Sequence, residues 1–569
     1  MQANPTELCF KFSGAGAPGI CFQNRCEPIP GHCVANIHVC DASENRSPAL
    51  PLNFRAQYFV SDDAFAQPSK KLMSQERLNN SLLENLPAEV IKPAYDRSEV
   101  TTGIVHLGIG AFHRAHQAWY TENRIAAGET SWGIVGASLR SAGVRDQLVP
   151  QNGLYSVVEK SNAGTKVQIV GAVSDVLVGP ESPQQLLELL AQESVRIVSL
   201  TITEKGYCHD PASGNLNPQH PDVVHDLANP QAPKSALGYI VGALALRKER
   251  GLPGFTVLSC DNLPSNGKLL GRVLVQYAEK VSAELAAWIS DNTTTPATMV
   301  DRIVPATTDN DRAELEAILG CRDEAAVMAE PFAQWVVEDN FLRGRPEWDK
   351  AGATFVDEVE VYELIKLRLL NGSHSMLAYS GYLSGFETVA DVMAEPAFNK
   401  LALHFMKSEA TTSIDVPADF DIAAYQAQLI ERFENRALRH RTWQIAMDGS
   451  QKIPQRWLGT LRHQLENGGP IEVLSFALAN WIRYVAAVDE KGNAIEVSDP
   501  LAADLKALCD KHKPQGNDAL ATAFLAFTPV FGEDLRNSER LHSAVAGWLD
   551  KLDAEGTLAC VQKHFSSVG

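Results

Sequence analysis

Two segments hold residues whose types and spacing could do chemistry. The first, HLGIGAFHRAHQ over residues 106–117, runs an apolar stretch into Gly108-x-Gly110 and then into a helical pattern. Glycines at such a junction allow a tight turn and let backbone approach a pyrophosphate seated on the helix N-terminus. Gly108, Gly110, Phe112, His113 and Arg114 are therefore candidate cofactor contacts. His113 stands where the usual fingerprint has a third glycine, so a plain turn is the competing reading.

The second segment is YELIKLRLLNGSH, residues 362–374. Hydride loss from a secondary alcohol needs a base for the hydroxyl proton and donors for the oxygen. Lys366 can be that base if desolvation and a cationic ring beside it disfavour the ammonium form. Asn371 and His374 can donate hydrogen bonds to the oxygen. On a regular helix, Glu363, His374 and Asn371 fall about 60°, 80° and 140° from Lys366, all on one arc. Leu367 and Leu370 share that arc, so the wheel describes a core-facing stripe equally well. The rise from Lys366 to His374 is roughly 12 Å, which would lay a substrate along the helix.

The elements around these segments define the fold expected. GIVHLGIG, WGIVGASL, VRIVSLTIT and FTVLSCDN read as strands, and HQAWYTENRIAAG reads as a helix closing on Gly128. Such alternation implies a mostly parallel sheet covered on both faces over residues 91–355. Beyond about residue 356 the strand signals stop. ELIKLRLLNGSHSMLAYSGYL, DIAAYQAQLIERFEN, VLSFALANWIRYVAAV and SERLHSAVAGWLDKL carry a helical period, so residues 356–569 form a mostly α-helical domain. Residues 1–90 show no sustained period and read as an appended or disordered extension, with an ordinary start at Met73.

Bulk properties narrow the function. The chain has 569 residues, enough for two or three domains, with 45% hydrophobic and 21% charged residues. Fifty basic residues against 69 acidic give a net charge of −19, which disfavours nucleic acid as a partner. No apolar run reaches the roughly 18–20 residues of a membrane span, and no secretory signal opens the chain; it reads as cytoplasmic. Nothing sets the number of subunits, a monomer included. Five of the ten cysteines, Cys9, Cys21, Cys26, Cys33 and Cys40, cluster early with His32 and His38. They lack the tight Cys-x-x-Cys pairs of common zinc modules, so no metal is expected.

GIGAFHRAHQ, SLTITEKGYC, SCDNLPSNG, TMVDRIVPATT, EPFAQWVVEDNF and KLRLLNGSH occur together and in order. From about residue 90 to the C-terminus the chain resembles the polyol-specific long-chain dehydrogenase/reductase (mannitol dehydrogenase) family. The resemblance implies a zinc-independent enzyme with a Rossmann-type N-terminal domain, a helical C-terminal domain and a site between them. It implies Lys366 as general acid/base, Asn371 and His374 as carbonyl-polarising or substrate-binding groups, and Asn262 as a further oxyanion donor. It places Glu204 and Asp301 around the site and makes Glu363 the relay of the lysine's proton to solvent.

Two features bear on ligands. The segment after the second strand, ASLRSAGVRDQ, has no acid before Asp146 to take a ribose hydroxyl, so NAD is expected with NADP left open. KLRLLNGSH carries Arg368, and Gln444 stands where mannitol 2-dehydrogenases of the family have an arginine. Both resemble the family's fructuronate reductases, whose substrate bears a carboxylate suited to a guanidinium. The activity implied is NAD-dependent interconversion of D-mannonate and D-fructuronate. The alternatives are mannitol and fructose, or a non-catalytic sugar-acid-binding role. Arg368, Arg439, Arg441, Lys452 and Arg456 are all candidate partners for the carboxylate.

Overall fold

The structure, a computed structural model, describes residues 76–567 apart from Pro211, Ala212 and Asp419, together with two short strands near the N-terminus. The chain divides into two compact units, Met1–Lys71 and Leu72–Gly569. In the first, strands Cys26–Ile29 and His32–Ala35 pair antiparallel. The side chains of the early cysteines, His32 and His38, considered above for zinc, lie outside the described residues.

In the second unit, apolar runs that offer both faces for burial assemble into a parallel sheet. Its strands are β1 (Thr102–Leu107), β2 (Gly133–Ser138), β3 (Val173–Val178), β4 (Ile197–Leu200) and β5 (Thr256–Ser259), in the order β3-β2-β1-β4-β5. All pairs are parallel. Alternate residues serve opposite layers, as a sheet buried on both faces requires. Val105, Leu107, Val198 and Val257 pack on the side of helices α3 (Ala236–Glu249) and α4 (Asn266–Val281). Ile104, Ile134, Ile197 and Leu258 pack towards Tyr120, Trp335 and Trp348. Strand order reverses between β1 and β4, so their carboxyl ends flank the crevice where open α/β sheets bind ligands.

Several elements escaped the sequence reading. A hairpin, Tyr155–Ser161 with Gly164–Val170, interrupts the parallel order and takes Val327–Ala329 as a third strand. A further small sheet joins β6 (Thr298–Asp301) to Gln334–Glu338 and Thr354–Val356. Residues 76–90, expected as part of an unpacked extension, are instead partly built in. Leu78, Leu86 and Val90 are buried against Leu154, Val167, Ile169 and Leu315. Three anchors spaced irregularly along a turn leave no period to read.

After Thr354–Val356 the described residues contain no further sheet strand. The helical part is built around α5 (Gly372–Leu383), where every residue but Tyr382 is buried, and Glu472–Val485, where only Glu472 and Arg483 are not. A helix apolar on all sides belongs at the centre of a bundle. The stretch leading into α5 is not a regular helix. Glu360–Ile365 passes through a π turn, Lys366–Asn371, before α5 begins. Two more π turns, Phe405–Ala410 and Pro454–Leu458, pack against the first. Such turns break the 100° wheel, and they recur at functional sites because the extra residue redirects side chains.

Candidate active site

Lys366 opens the first π turn and is buried. Its Nζ donates to Asn262 Oδ1 and to the Val300 carbonyl, each at 2.5 Å. Asn262 reaches this point because the loop after β5 is pinned. The Asp261 carboxylate accepts from the Ile202 and Thr203 amides at 3.0 Å and from the Tyr207 hydroxyl at 2.9 Å, tying the ends of β4 and β5 together. Asn266 then bonds the Asp261 and Thr298 carbonyls at 3.0 and 2.9 Å. Val300 lies on β6, so sheet and helical domain meet at the lysine. Asn262, Thr298, Glu363, Lys366, Asn371 and Gln455 line one small cavity.

Burial pulls the Lys366 ammonium down to about 8; Asp301 opposes this, while Arg432 and Arg456 add to it. An ammonium has three hydrogens. Two are committed to Asn262 and Val300, which fixes the third direction: a hydrogen in the acid, a lone pair in the base. Glu363 accepts from the Ser265 amide at 3.1 Å, and burial lifts its carboxyl to about 7. A carboxyl near 7 beside an amine near 8 can exchange a proton with little energetic penalty.

The other candidates divide. His374 is buried with its ring 4.7 Å from Phe433 and 5.4 Å from His440. Burial, with His440 and the nearby arginines, holds it well below the usual histidine range, so it is neutral. Asp301 spends both oxygens on Arg432, at 2.7 and 3.0 Å, and acts on Lys366 through its charge. Glu204 is exposed on the turn Glu204–Tyr207, near Asp261 but outside the cavity that Lys366 lines. Arg368 turns to another helix altogether, where its guanidinium bonds the carbonyl and hydroxyl of Ser413.

Sequence reasoning missed Arg432. Its guanidinium also bonds Glu330 at 3.0 and 2.8 Å, so one arginine from the helix Ile422–Phe433 holds two buried acids of the sheet domain. The signal was available: Arg432 shares the buried face of that helix with Tyr425, Leu429 and Phe433. An arginine on an apolar stripe needs buried acceptors, and a carboxylate from another segment is the strongest of them.

The glycine turn closes the other side of the crevice. Gly108 has φ +91°, and a Cβ there would lie 2.2 Å from the Thr201 carbonyl. Thr201 Oγ1 donates back to the Gly108 carbonyl at 2.7 Å. A Cβ on Gly110 would meet nothing nearer than 3.7 Å, so the space over Gly110 is open for a ligand. His113 stacks on His106 at 3.4 Å and Arg114 bonds the Gly110 and Ala325 carbonyls, both buried. The short helix Ala111–Ala115 turns their side chains into the core. Phe112 stacks on His116 at 5.0 Å and is only partly buried.

A Rossmann-type sheet with an open glycine turn at its switch point, facing a desolvated lysine, defines a dehydrogenase acting on a secondary alcohol. The chain belongs to the mannitol dehydrogenase family: residues 102–350 match its Rossmann domain and residues 358–553 its C-terminal domain. It is 47% identical to D-mannonate oxidoreductase of Escherichia coli (strain K12), over 84% of this chain and 98% of that one. It is 37% identical to mannitol 2-dehydrogenase of Pyrenophora tritici-repentis, over 86% of each. The structure of Pseudomonas fluorescens mannitol 2-dehydrogenase in ternary complex with NAD and D-mannitol superposes with a TM-score of 0.78 at 37% identity, over 85% of this chain and 99% of that chain. Among the described residues no helix is long and apolar enough to cross a membrane, and no cluster of His, Cys, Asp or Glu could hold a metal ion.

Proposed function

We propose that this protein interconverts D-fructuronate and D-mannonate with NAD as coenzyme and Lys366 as general acid and base. The observation that carries the chemistry is the desolvated lysine held at 2.5 Å from Asn262, with its ammonium brought down to about 8. Identity of 47% to a D-mannonate oxidoreductase supports the substrate. The open turn at Gly108 and Gly110 fits the coenzyme's pyrophosphate. When bound, the coenzyme supplies or takes up the hydride.

In reduction, Lys366 gives its third hydrogen to the carbonyl oxygen as charge develops there. Asn371 and the Asn262 amide nitrogen hold that oxygen. In oxidation, the Lys366 lone pair takes the hydroxyl proton. Glu363 passes protons between the lysine and solvent. Neutral His374 adds a hydrogen bond without adding positive charge.

The test is a panel of fructuronate, tagaturonate, fructose and mannitol, each with NAD(H) and NADP(H). The highest kcat/KM is expected for fructuronate with NADH. Equal efficiency on fructose would overturn the uronate reading and favour a mannitol 2-dehydrogenase.

A further inference from the structure

Two cations of the helical part stand near the site without an ion pair among the described residues. Arg456 lies in the π turn Pro454–Leu458, and Lys452 one turn earlier, on Gly449–Ile453. One terminal nitrogen of Arg456 makes both of its bonds, to Ser375 Oγ at 2.9 Å and to the Asn371 carbonyl at 3.3 Å. Its Nε and second terminal nitrogen bond no described residue. Lys452 Nζ donates to the Ile445 carbonyl at 3.2 Å. Among the described residues neither cation is ion-paired. Arg432, by contrast, holds two carboxylates. Buried Arg247, without an acid, bonds the Leu190, Gln192, Val195 and Pro253 carbonyls instead.

The pair is also costly as it stands. Burial brings Arg456 down to about 10, and burial with the charge of Arg456 brings Lys452 to about 8, against the weaker opposing pull of Asp448 and Asp499. Buried cations are ordinarily paired. Both keep partial exposure, so they face open space rather than packed core. His440, within the field of Lys452, leaves Nδ1 buried without a partner and stands 5.4 Å from the His374 ring. Arg456 itself acts on Lys366 and His374.

We propose that Arg456 and Lys452 bind the carboxylate of the substrate and so select linear sugar acids over neutral ketoses. The inference rests on the reading of the site given above, and it deepens that reading by assigning the group that recognises the acid. Arg456 meets the helical stretch at Asn371, at the far end of the single π turn that Lys366 opens. In an extended 5-keto acid the carboxyl carbon lies about 5 Å from the keto carbon. A hydrogen bond at each end extends that reach. The remaining candidates are otherwise engaged. Arg368 bonds Ser413, while Arg439 and Arg441 lie exposed against Glu387.

The experiment is the ratio of kcat/KM on fructuronate to that on fructose, in wild type, Arg456→Met, Lys452→Met and Arg456→Lys. The ratio is expected to fall about tenfold to a hundredfold in each methionine variant, as loss of a charge-assisted hydrogen bond dictates. It should recover in part in Arg456→Lys. A ratio cancels any loss of folded enzyme, so a purely structural role would leave it unchanged. A wild-type ratio near one overturns the proposed function itself. A wild-type preference that survives both methionine variants overturns only this assignment.

Discussion

Lys366 Nζ lies 2.5 Å from Asn262 Oδ1, a contact that joins positions 104 residues apart. The contact does more than satisfy a buried charge. With the Val300 carbonyl at the same distance, it leaves the amine one free direction, and the proposed mechanism places the substrate oxygen there. Under that proposal the proton donor in one direction of reaction and the base in the other are the same atom in the same orientation.

Lys366→Ala should therefore lower turnover by about 10² to 10⁴-fold in both directions, the usual worth of a positioned acid or base. NADH affinity, read by fluorescence quenching, should stay within about twofold, because the glycine turn is a separate element. Small primary amines should restore part of the rate. Near-normal turnover in the variant would remove Lys366 from the mechanism.

The pH dependence has a defined sign. Lys366 is depressed to about 8, so the neutral base accumulates above that pH and the acid below it. Oxidation should rise as pH passes through about 8, and reduction should fall over the same range. Glu363, lifted to about 7, should add a second, lower inflection. In Glu363→Gln that inflection should disappear from the kcat profile while the lysine's persists. An unchanged profile in Glu363→Gln would exclude the relay.

Part of this arrangement is legible in the sequence, and the limits have physical causes. Lys366, Asn371 and Glu363 lie close in sequence and line one cavity; their spacing alone described a core stripe equally well, and the family resemblance set them apart. The parallel strands were legible because burial on both faces leaves continuous apolar runs such as Ile134–Ala137. Where a charged side chain points is not legible, because charge type carries no direction: Arg368 bonds Ser413 from the π turn. His113 and Arg114 are buried on the short helix Ala111–Ala115, which their polar types do not announce. The ion triad of Asp301, Arg432 and Glu330 joins three distant segments, and no local pattern encodes such a meeting.

Catalysis should survive prolonged exposure to a strong chelator. The proposed proton transfers use an amine and a carboxylate, and no ligand cluster exists among the described residues. Loss of activity that zinc restores would displace the lysine mechanism.

Alanine at the two glycines separates fold from ligand. Gly108→Ala forces a Cβ against the Thr201 carbonyl at φ +91°, so it should weaken NADH binding at least tenfold and lower the melting temperature. Gly110→Ala meets no protein atom closer than 3.7 Å, so stability should hold while NADH affinity falls. If Gly110→Ala binds NADH normally, the pyrophosphate does not approach that turn.

Arg432 ties the domains and tunes the lysine, and removing it should reveal both roles at once. Its side chain is 4% exposed, as is that of Asp301, and Glu330 is 1% exposed. Arg432→Met would leave two buried carboxylates without their cation, which costs about 3–5 kcal/mol. A melting temperature lower by many degrees is expected. Arg432 also lowers the Lys366 pKa, whereas Asp301 raises it. With the arginine gone, Asp301 is opposed among the charges only by the smaller effect of Arg456, the ammonium is favoured, and the rise in oxidation rate should move to higher pH. Adding Asp301→Asn and Glu330→Gln to Arg432→Met should recover much of the stability and bring the inflection back down. A stability loss with no movement of the inflection would show that Arg432 fastens the domains without tuning the base.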